Sequence, residues 1–271
     1  MSLNKSFIKW AGGKIQSVRF INDSIGSFKG RFVEPFVGSG VVSANIYSNS
    51  YIISDYNLDL INTYKTIKSD PLFIDDLREM FSGKYNNMDK FYELRLLFNE
   101  TIDTRMKSLI FVYLNRHCFN GLCRYNKSGG FNVPFGRYKS PYFPEKELLF
   151  FKNILLPKCD IYCQSFEKTF ELLGDGDLCY CDPPYTPLNN TASFTDYSIG
   201  GFSERQHIDL AKLAYDSNCT VIISNHDTEM TRDIYSKADL IRTRLVSRFI
   251  SASVGGRKPV YELLAIYNKE N

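Results

Sequence analysis

The sequence predicts an α/β fold with a mostly parallel sheet, because strand patterns alternate with helical patterns at both ends of the chain. Near the start, a predicted strand at 31–36 leads through a glycine turn into a helical run at 41–47 and a second strand at 51–55. The same alternation resumes after Pro144. It predicts helices at 145–155, 166–172 and 204–215 and strands at 159–163, 177–181 and 220–224.

A helical and basic insertion interrupts this alternation. Between 58 and 116 the apolar residues recur at helical spacing, which is typical of helices that pack on a core. Residues 117–140 are predicted to form a β-hairpin-like loop that turns at Gly129 and Gly130. We therefore expect a discontinuous sheet domain, 1–56 and 145–271, with a mainly helical domain at 57–144.

Composition and cysteine usage exclude several classes of protein. The chain has 271 residues, 44% of them hydrophobic and 23% charged, which is typical of a globular protein large enough for a full core. No run of 18 apolar residues appears, so we expect no membrane partner and a cytoplasmic location. The seven cysteines form no C-x-x-C pair and the three histidines lack metal-ligand spacing, so we expect buried thiols and no metal.

Positive charge is concentrated in two stretches of the chain. Seven basic residues and no acid lie between 105 and 139, although the net charge of the whole chain is only +3. A second stretch without acids runs from 240 to 260 and contains five basic residues. Such segregation favours a polyanionic partner, and a merely solvated basic face is the alternative.

The stretch CDPPY, residues 181–185, follows a predicted strand. Two prolines fix the backbone and offer carbonyls without N–H donors, and Asp182 adds another acceptor. An acceptor-only corner beside an aromatic ring suits a flat group that carries donor hydrogens, such as the amino group of a nucleobase. The alternative is a turn in which Asp182 bonds its own backbone.

A glycine turn, VGSG at 37–40, follows the first strand, and Asp55 ends the next strand 17 residues after Gly38. An acid at that distance accepts hydrogen bonds from ribose hydroxyls, which predicts an adenosine site, although a plain strand–helix connection is the alternative. The pattern is neither G-x-G-x-x-G nor a P-loop. An adenosine cofactor with a transferable group, beside an amine acceptor, indicates methyl transfer from S-adenosylmethionine.

The order of these motifs resembles that of the Dam family of DNA adenine methyltransferases over nearly the whole chain. The resemblance implies a Rossmann-like, S-adenosylmethionine-dependent methyltransferase whose target-recognition domain is the insertion at 57–144. The matching stretches are FIKWAGGK (7–14), VEPFVGSG (33–40), ISDYN (53–57), LNRHCFNGLCRYN (114–126), FNVPFGRYKSPYFPE (131–145), YCDPPY (180–185) and SNHDT (224–228).

The resemblance also implies roles for individual residues in catalysis. Asp182 and the Pro183 carbonyl would hold the target amine, Pro184 would complete the corner and Tyr185 would stack on the base. Transfer would be direct, with neither a covalent enzyme intermediate nor a metal. The residues expected at S-adenosylmethionine are Trp10, Ala11, Gly12, Lys14, Pro35, Phe36, Gly38, Gly40, Asp55 and Asp182.

By the same resemblance the substrate is adenine flipped out of double-stranded DNA in a GATC site. The residues expected to read the bases are Lys9, Leu122, Arg124, Pro134 and Tyr138, while Phe119 and Asn120 enter the space that the base leaves. Further DNA contacts are expected from Arg116, Asn126, Arg137, Lys139, Arg244 and Arg248. Phe119 is a departure, since Tyr also occurs there in the family. A monomer, bacterial or phage-encoded, is expected.

The 17 residues from 186 to 202 form a long connection, which predicts a lid. Phe194 and Tyr197 would cover the flipped adenine, with a hinge at Gly200 and Gly201; a surface loop is the alternative. Three alternatives for function stay open: the same chemistry on another DNA sequence, amino-group methylation of RNA or of a protein side chain, and a DNA-binding module without catalysis.

Overall fold

The computed structural model describes residues 2–186, 202–246 and 260–269. These residues have a mixed α/β fold with a seven-stranded, mostly parallel sheet, which confirms the predicted fold class. The strands are β1 (Phe32–Glu34), β2 (Tyr51–Asp55), β3 (Cys159–Cys163), β4 (Leu178–Cys181), β5 (Thr220–His226), β6 (Leu240–Val246) and β7 (Val260–Tyr267). The α-helices are α1 (Val18–Asn22), α2 (Leu58–Ser69), α3 (Phe73–Glu79), α4 (Met88–Glu100), α5 (Thr104–His117), α6 (Glu145–Phe150), α7 (Phe166–Phe170), α8 (Glu204–Asp216) and α9 (Glu229–Ile234).

Packing divides the chain into two compact units. Unit 1 comprises Met1–Arg19 and Val37–Gln164, and unit 2 comprises Phe20–Phe36 and Ser165–Asn271. The boundaries predicted after residues 56 and 144 divide the chain by expected function, into methyltransferase and DNA-recognition parts. The two units instead divide it by how the residues pack. The recognition domain at 57–144 therefore stays a prediction. Among the described residues, no helix is long and apolar enough to cross a membrane.

Unit 1 combines β2 and β3, which pair in parallel, with the helices predicted between residues 58 and 116. Side-chain caps determine where three of these helices begin. Asn57 accepts from the Leu60 N–H to start α2 at 2.9 Å, and Asn87 and Asp103 start α4 and α5 in the same manner. Apolar faces of these helices then form the core of the unit, as the helical spacing of the apolar residues predicted.

The hairpin-like loop after α5 contains two isolated antiparallel bridges rather than regular strands. The bridges join Cys118 to Phe135 and Tyr125 to Phe131. The turn lies where it was predicted, because Gly129 has a φ of +82°, a conformation that favours glycine. The predicted hairpin is thus present as an antiparallel loop, and no described residue between the bridges extends them into strands.

The helix predicted at 41–47 is wrong, because residues 41–45 form turns, Ile46 lies in a bend and Tyr47 has no regular structure. Val41 and Val42 are β-branched and disfavour a helix. The side chain of Asn45 also competes with the helical pattern, since its Nδ2 donates to the carbonyls of Val41 and Asn4 at 2.8 and 2.9 Å.

The described residues of unit 2 form five strands in the order β1, β4, β5, β7, β6. The first three are parallel, and β7 runs antiparallel to both β5 and β6. Because β4 and β5 are parallel and Cys181 pairs with Ile223, their carboxyl ends lie at the same edge of the sheet. This register places Asp182, which follows β4, beside Ser224 of β5.

Candidate functional site

The acceptor corner in unit 2 is held by the neighbouring strand. The hydroxyl of Ser224 donates to Oδ1 of Asp182 at 2.7 Å. The buried hydroxyl of Tyr180 donates in turn to Oγ of Ser224 at 3.1 Å. This chain of hydrogen bonds fixes the orientation of the Asp182 carboxylate, which is half-buried.

Tyr185 presents a fixed aromatic ring next to this carboxylate. The ring packs edge-to-face on His226, with 4.7 Å between centroids and 78° between planes. His226 is held by a 2.7 Å hydrogen bond between its Nδ1 and the carbonyl oxygen of Thr186. Burial, reinforced by the charge of Asp182, raises the pKa of Tyr185. The phenol therefore stays protonated and adds no charge to the corner.

A buried polar network contacts the residue that directly follows the corner, and no sequence pattern predicted its geometry. Asn225 Oδ1 accepts from the backbone N–H of Thr186 at 3.2 Å, and its Nδ2 donates to the Tyr235 hydroxyl at 3.1 Å. The same hydroxyl lies 3.2 Å from Nδ1 of His207. Burial lowers the pKa of His207 to about 4, so the imidazole is neutral near neutral pH. The network holds the chain immediately after the corner.

Phe36 and Pro35, expected at the cofactor, also belong to unit 2. The half-buried ring of Phe36 stacks on Phe166 with centroids 5.6 Å apart and meets Phe202 edge-on at the same distance. Phe202 also packs edge-on against His207 at 4.6 Å. Phe36 is therefore part of an aromatic cluster and still offers part of its ring to solvent.

The glycine turn in unit 1 braces the carboxylate of Asp55. The N–H of Gly38 donates to Oδ2 at 3.0 Å, and the N–H of Asn57 donates to Oδ1 at 2.9 Å. Burial raises the pKa of Asp55, and the N–H groups of Asn57 and Gly38 partly oppose this rise because they favour the ionised form. The backbone N–H of Tyr56 favours the ionised form of this carboxylate as well.

Trp10 packs directly on this turn. Gly38 has a φ of +44°, and a Cβ built there would lie 2.8 Å from Cδ1 of the indole, so only glycine fits. Gly40 is equally restricted, with a φ of +66° and a Cβ position 2.9 Å from the hydroxyl of Tyr64. That hydroxyl donates to the carbonyl of Gly38 at 2.8 Å. Trp10, Gly38, Gly40 and Asp55 thus lie close together in unit 1, and their role at a cofactor stays a prediction.

The segment after Trp10 forms a turn closed by Lys14. Its ammonium is buried at 6% exposure and donates to the carbonyl of Gly12 at 2.8 Å. Ala11 and Gly12 are exposed, and Gly12 has a φ of +76°. The turn therefore presents backbone groups at the surface beside the indole.

The guanidinium of Arg124 is held by a residue that sequence reasoning missed. Nε donates to Oδ1 of Asn132 at 2.8 Å, and Nη2 donates to the Asn132 carbonyl at 3.3 Å. Arg124 itself is exposed. Only proximity across the predicted hairpin could have pointed to Asn132. The contact orients the fork of Arg124 while its side chain faces solvent.

Five other residues expected at DNA are gathered on the same loop surface in unit 1. Phe119 is 50% exposed and donates its backbone N–H to the Pro134 carbonyl at 2.8 Å. Asn120 has a φ of +55° and donates its N–H to the hydroxyl of Tyr138 at 3.0 Å. The ammonium of Lys9 lies 4.8 Å from the Tyr138 ring centroid.

Two further residues expected at DNA, Arg116 and Asn126, make hydrogen bonds that support the local fold. Arg116 is 8% exposed, and its Nε and Nη2 donate to the Phe7 carbonyl at 2.8 and 2.6 Å. Oδ1 of Asn126 accepts from the Gly130 N–H at 2.8 Å and so closes the hairpin turn. Both contacts support the local structure. A role of either residue at DNA stays a prediction.

The remaining residues expected at DNA do not form one cluster among the described residues: some lie on the loop of unit 1 and one lies on β6 of unit 2. Arg137 and Lys139 are exposed, with Arg137 at a φ of +55°, and Leu122 is half-buried. Arg244 lies on β6 in unit 2, with its guanidinium 5.7 Å from the Phe20 ring centroid. Arg248 and the predicted lid residues at 187–201 lie outside the described residues. Within the described ranges, no group of three His, Cys, Asp or Glu side chains is placed to hold a metal ion.

Comparison with known proteins identifies the family. A family model for the D12 class of N6 adenine-specific DNA methyltransferases matches residues 10–247. The chain belongs to this family. It is 45% identical over 273 residues to the DNA adenine methylase of Serratia marcescens. The aligned region covers 98% of this chain and 100% of that protein.

Two further relatives are also named DNA adenine methylase. The protein of Escherichia coli (strain K12) is 43% identical over 98% of this chain and 96% of its own length. That of Vibrio cholerae serotype O1 (strain ATCC 39315 / El Tor Inaba N16961) is 42% identical over 98% and 97%. The solved delta-N METTL16 MTase domain has a TM-score of 0.41 and 8% identity over 95% of this chain and 82% of that chain. The Dam-family prediction is confirmed, and the methyltransferase is adenine-specific and acts on DNA.

Proposed function

We propose that this methyltransferase takes its methyl group from S-adenosylmethionine and transfers it to the 6-amino group of an adenine flipped out of duplex DNA, within GATC. The observation that carries the proposal is the hydrogen bond from Ser224 to Asp182, which holds an acceptor beside the ring of Tyr185. An adenine inside a duplex cannot meet such a corner, so the base has to leave the stack.

The corner would act on the amine rather than on the methyl donor. The lone pair of the amino nitrogen is delocalised into the adenine ring. Asp182 and the Pro183 carbonyl would each accept a hydrogen bond from the amino group, which localises the lone pair on nitrogen and aims it for an in-line displacement. The methylated nitrogen would then release one proton. The exposed Pro184 keeps the backbone rigid, and Tyr185 supplies the stacking face.

The residues of unit 1 fit an adenosine-containing cofactor. The Asp55 carboxylate is already braced by two N–H groups and would accept from ribose hydroxyls. Trp10 offers an indole face, and the glycines of the turn allow backbone approach. When bound, S-adenosylmethionine supplies a methyl group activated by a positive sulfonium. The other residues proposed for its binding are Ala11, Gly12, Lys14, Pro35, Phe36 and Gly40.

The basic loop of unit 1 is proposed as the DNA-reading surface. Arg124 would read a guanine edge in the major groove, because its fork is held by Asn132 and exposed. Phe119 and Asn120 would fill the space left by the adenine. Other proposed base contacts are Lys9, Leu122, Pro134 and Tyr138, and proposed phosphate contacts are Arg137, Lys139, Arg244 and Arg248. We further propose a monomer that works without a metal in the bacterial cytoplasm, where its DNA lies.

The test is methylation of a GATC duplex with S-adenosylmethionine labelled in its methyl group, followed by nucleoside analysis for N6-methyladenine. Wild type should label GATC and leave single-base variants and single-stranded RNA of the same sequence nearly unlabelled. Asp182→Ala should retain cofactor binding and lose turnover, since the carboxylate acts on the amine. Equal labelling of all duplexes would contradict GATC, and preferential labelling of RNA would contradict the substrate. Loss of cofactor affinity in parallel with rate would reassign Asp182 to the cofactor.

A further inference from the structure

A partly buried hydrogen bond joins the hairpin-like loop to the start of α2 in unit 1. The hydroxyl of Tyr125 donates to Oδ2 of Asp59 at 2.8 Å. The ammonium of Lys107 lies 3.2 Å from the other carboxylate oxygen. Burial raises the pKa of Tyr125, so the phenol keeps the proton that this bond requires. Tyr125 and Asp59 are 66 positions apart in the sequence.

Through Asp59, the pair is close in sequence to Asp55, the carboxylate proposed to bind the ribose. Asp59 lies in the first turn of α2, four residues after Asp55. Between them Asn57 has two tasks, since its N–H donates to Asp55 at 2.9 Å and its side chain caps α2 through the Leu60 N–H at 2.9 Å. Asn57 therefore links the carboxylate of Asp55 to the first turn of α2, which contains Asp59.

On the other side, the pair adjoins the residue proposed to read guanine. Tyr125 directly follows Arg124 and forms the antiparallel bridge to Phe131. Asn132, next to Phe131, donates its backbone N–H to the Arg124 carbonyl at 3.1 Å. Its side-chain Oδ1 accepts from Nε of Arg124 at 2.8 Å. Movement of the Tyr125 hydroxyl would therefore move the backbone that carries the guanidinium.

We propose that Tyr125 and Asp59 are positioning residues that couple cofactor binding at Asp55 to sequence reading by Arg124. The inference rests on the proposed function, because it takes the cofactor at Asp55 and guanine at Arg124. A ligand on Asp55 restrains the segment that ends at Asp59, and Asp59 restrains Tyr125. When DNA then binds Arg124, the loop that carries this residue is already ordered, so less free energy is spent on ordering it. By linkage, DNA tightens cofactor binding by the same factor.

The test measures the dissociation constant of a GATC duplex with and without saturating sinefungin, a non-transferable analogue of the cofactor. For wild type the analogue should tighten GATC binding by about fivefold or more. In Tyr125→Phe the ratio should fall to within about twofold of one. The matched control is Tyr142→Phe, which removes another hydroxyl bonded to a carboxylate, Glu147 at 2.9 Å, and should leave the wild-type ratio.

A structural role alone gives a different result. If Tyr125→Phe weakens GATC binding equally with and without sinefungin, the ratio is unchanged and the proposal is overturned. A wild-type ratio of one overturns it as well. Wild type that binds neither sinefungin nor GATC overturns the proposed function, and this inference with it. Asp59→Ala should lower the ratio as Tyr125→Phe does, and the double variant should lower it no further, since one bond is removed in all three. Additive losses would contradict a shared bond.

Discussion

The hydroxyl of Ser224 donates to Oδ1 of Asp182 across the ends of two parallel strands, at 2.7 Å. The pairing of Cys181 with Ile223 places these residues opposite each other. Ser224 also accepts from Tyr180 at 3.1 Å, so its hydroxyl proton is directed at the carboxylate. The acceptor proposed for the target amine is thus oriented by a residue of the neighbouring strand.

Removal of this hydroxyl should slow turnover more than it weakens binding. Ser224→Ala leaves Asp182 able to accept but without the donor that fixes its orientation, and a misplaced acceptor loses part of the benefit of positioning. We expect kcat on a GATC duplex to fall about tenfold or more. The affinity for S-adenosylmethionine should stay within about twofold of wild type. Steady-state kinetics and calorimetric titration measure the two effects.

The matched control is Ser108→Ala, which removes a buried hydroxyl in α5 that donates to the Thr104 carbonyl at 2.7 Å. It should lower stability by about 1 kcal/mol and leave kcat unchanged, because a buried hydroxyl is lost away from the corner. An equal fall of kcat in both variants would mean that Ser224 acts only through stability.

Asp182 and Ser224 show where sequence reasoning works and where it ends. The acceptor character of the corner follows from the chemistry of proline and aspartate, which is local. The partner Ser224 lies 42 positions away, and only the register of β4 on β5 brings it to Asp182. The same holds for Asn132 at Arg124. The turns at 41–47 were missed because the side chain of Asn45 reaches a carbonyl at residue 4.

The second prediction concerns the pH dependence of cofactor affinity. Burial raises the pKa of Asp55 above its ordinary value of 3.8. The ionised carboxylate is the form that accepts from ribose hydroxyls, and it is lost as pH falls through the raised pKa. The affinity for sinefungin should therefore fall as pH is lowered from about 7.5 to about 5, a range in which an exposed aspartate stays largely ionised.

Asp55→Asn is the control for this titration. The amide accepts through one oxygen and does not titrate, so the variant should bind sinefungin more weakly at every pH and lose the dependence on acid. An identical pH dependence in wild type and Asp55→Asn would assign the titration to another group. Unchanged affinity in the variant would remove Asp55 from the proposed cofactor site.

The third prediction concerns acid stability. Burial lowers the pKa of His207 from 6.5 to about 4. The folded state therefore protonates His207 less readily than the unfolded state does. The contribution of the neutral imidazole to the free energy of unfolding is complete above pH 6.5 and is lost progressively as pH falls toward 4. Between about pH 7.5 and about pH 5, His207 should account for a loss of about 2 kcal/mol in the free energy of unfolding.

His207→Gln should remove this contribution and flatten the pH dependence of unfolding measured with urea. His117 offers an independent comparison in unit 1, because burial lowers its pKa to about 4 as well. His117→Gln should flatten the dependence by a similar amount. A ring-proton titration by NMR tests the same point without substitution: a midpoint near 6.5 for His207 would contradict the buried neutral imidazole.

The last prediction concerns Arg124. A bidentate contact of its guanidinium with a guanine edge discriminates by ~1–3 kcal/mol. Arg124→Ala should therefore reduce the methylation rate of GATC by a factor of about ten to a hundred or more and leave the rate on sites altered at that guanine nearly as it was. Rates on GATC and on each single-base variant, at fixed salt and saturating cofactor, measure the change in specificity.

Lys139→Ala provides the contrast, because Lys139 is exposed on the same basic loop and is proposed to contact phosphate. It should weaken binding to all duplexes alike and lower the slope of log affinity against log salt by about one. Asn132→Ala should behave like a weaker form of Arg124→Ala, since it frees the guanidinium from its 2.8 Å partner without removing it. A uniform loss across all duplexes in Arg124→Ala would make Arg124 a backbone contact and leave guanine recognition to other residues of the loop.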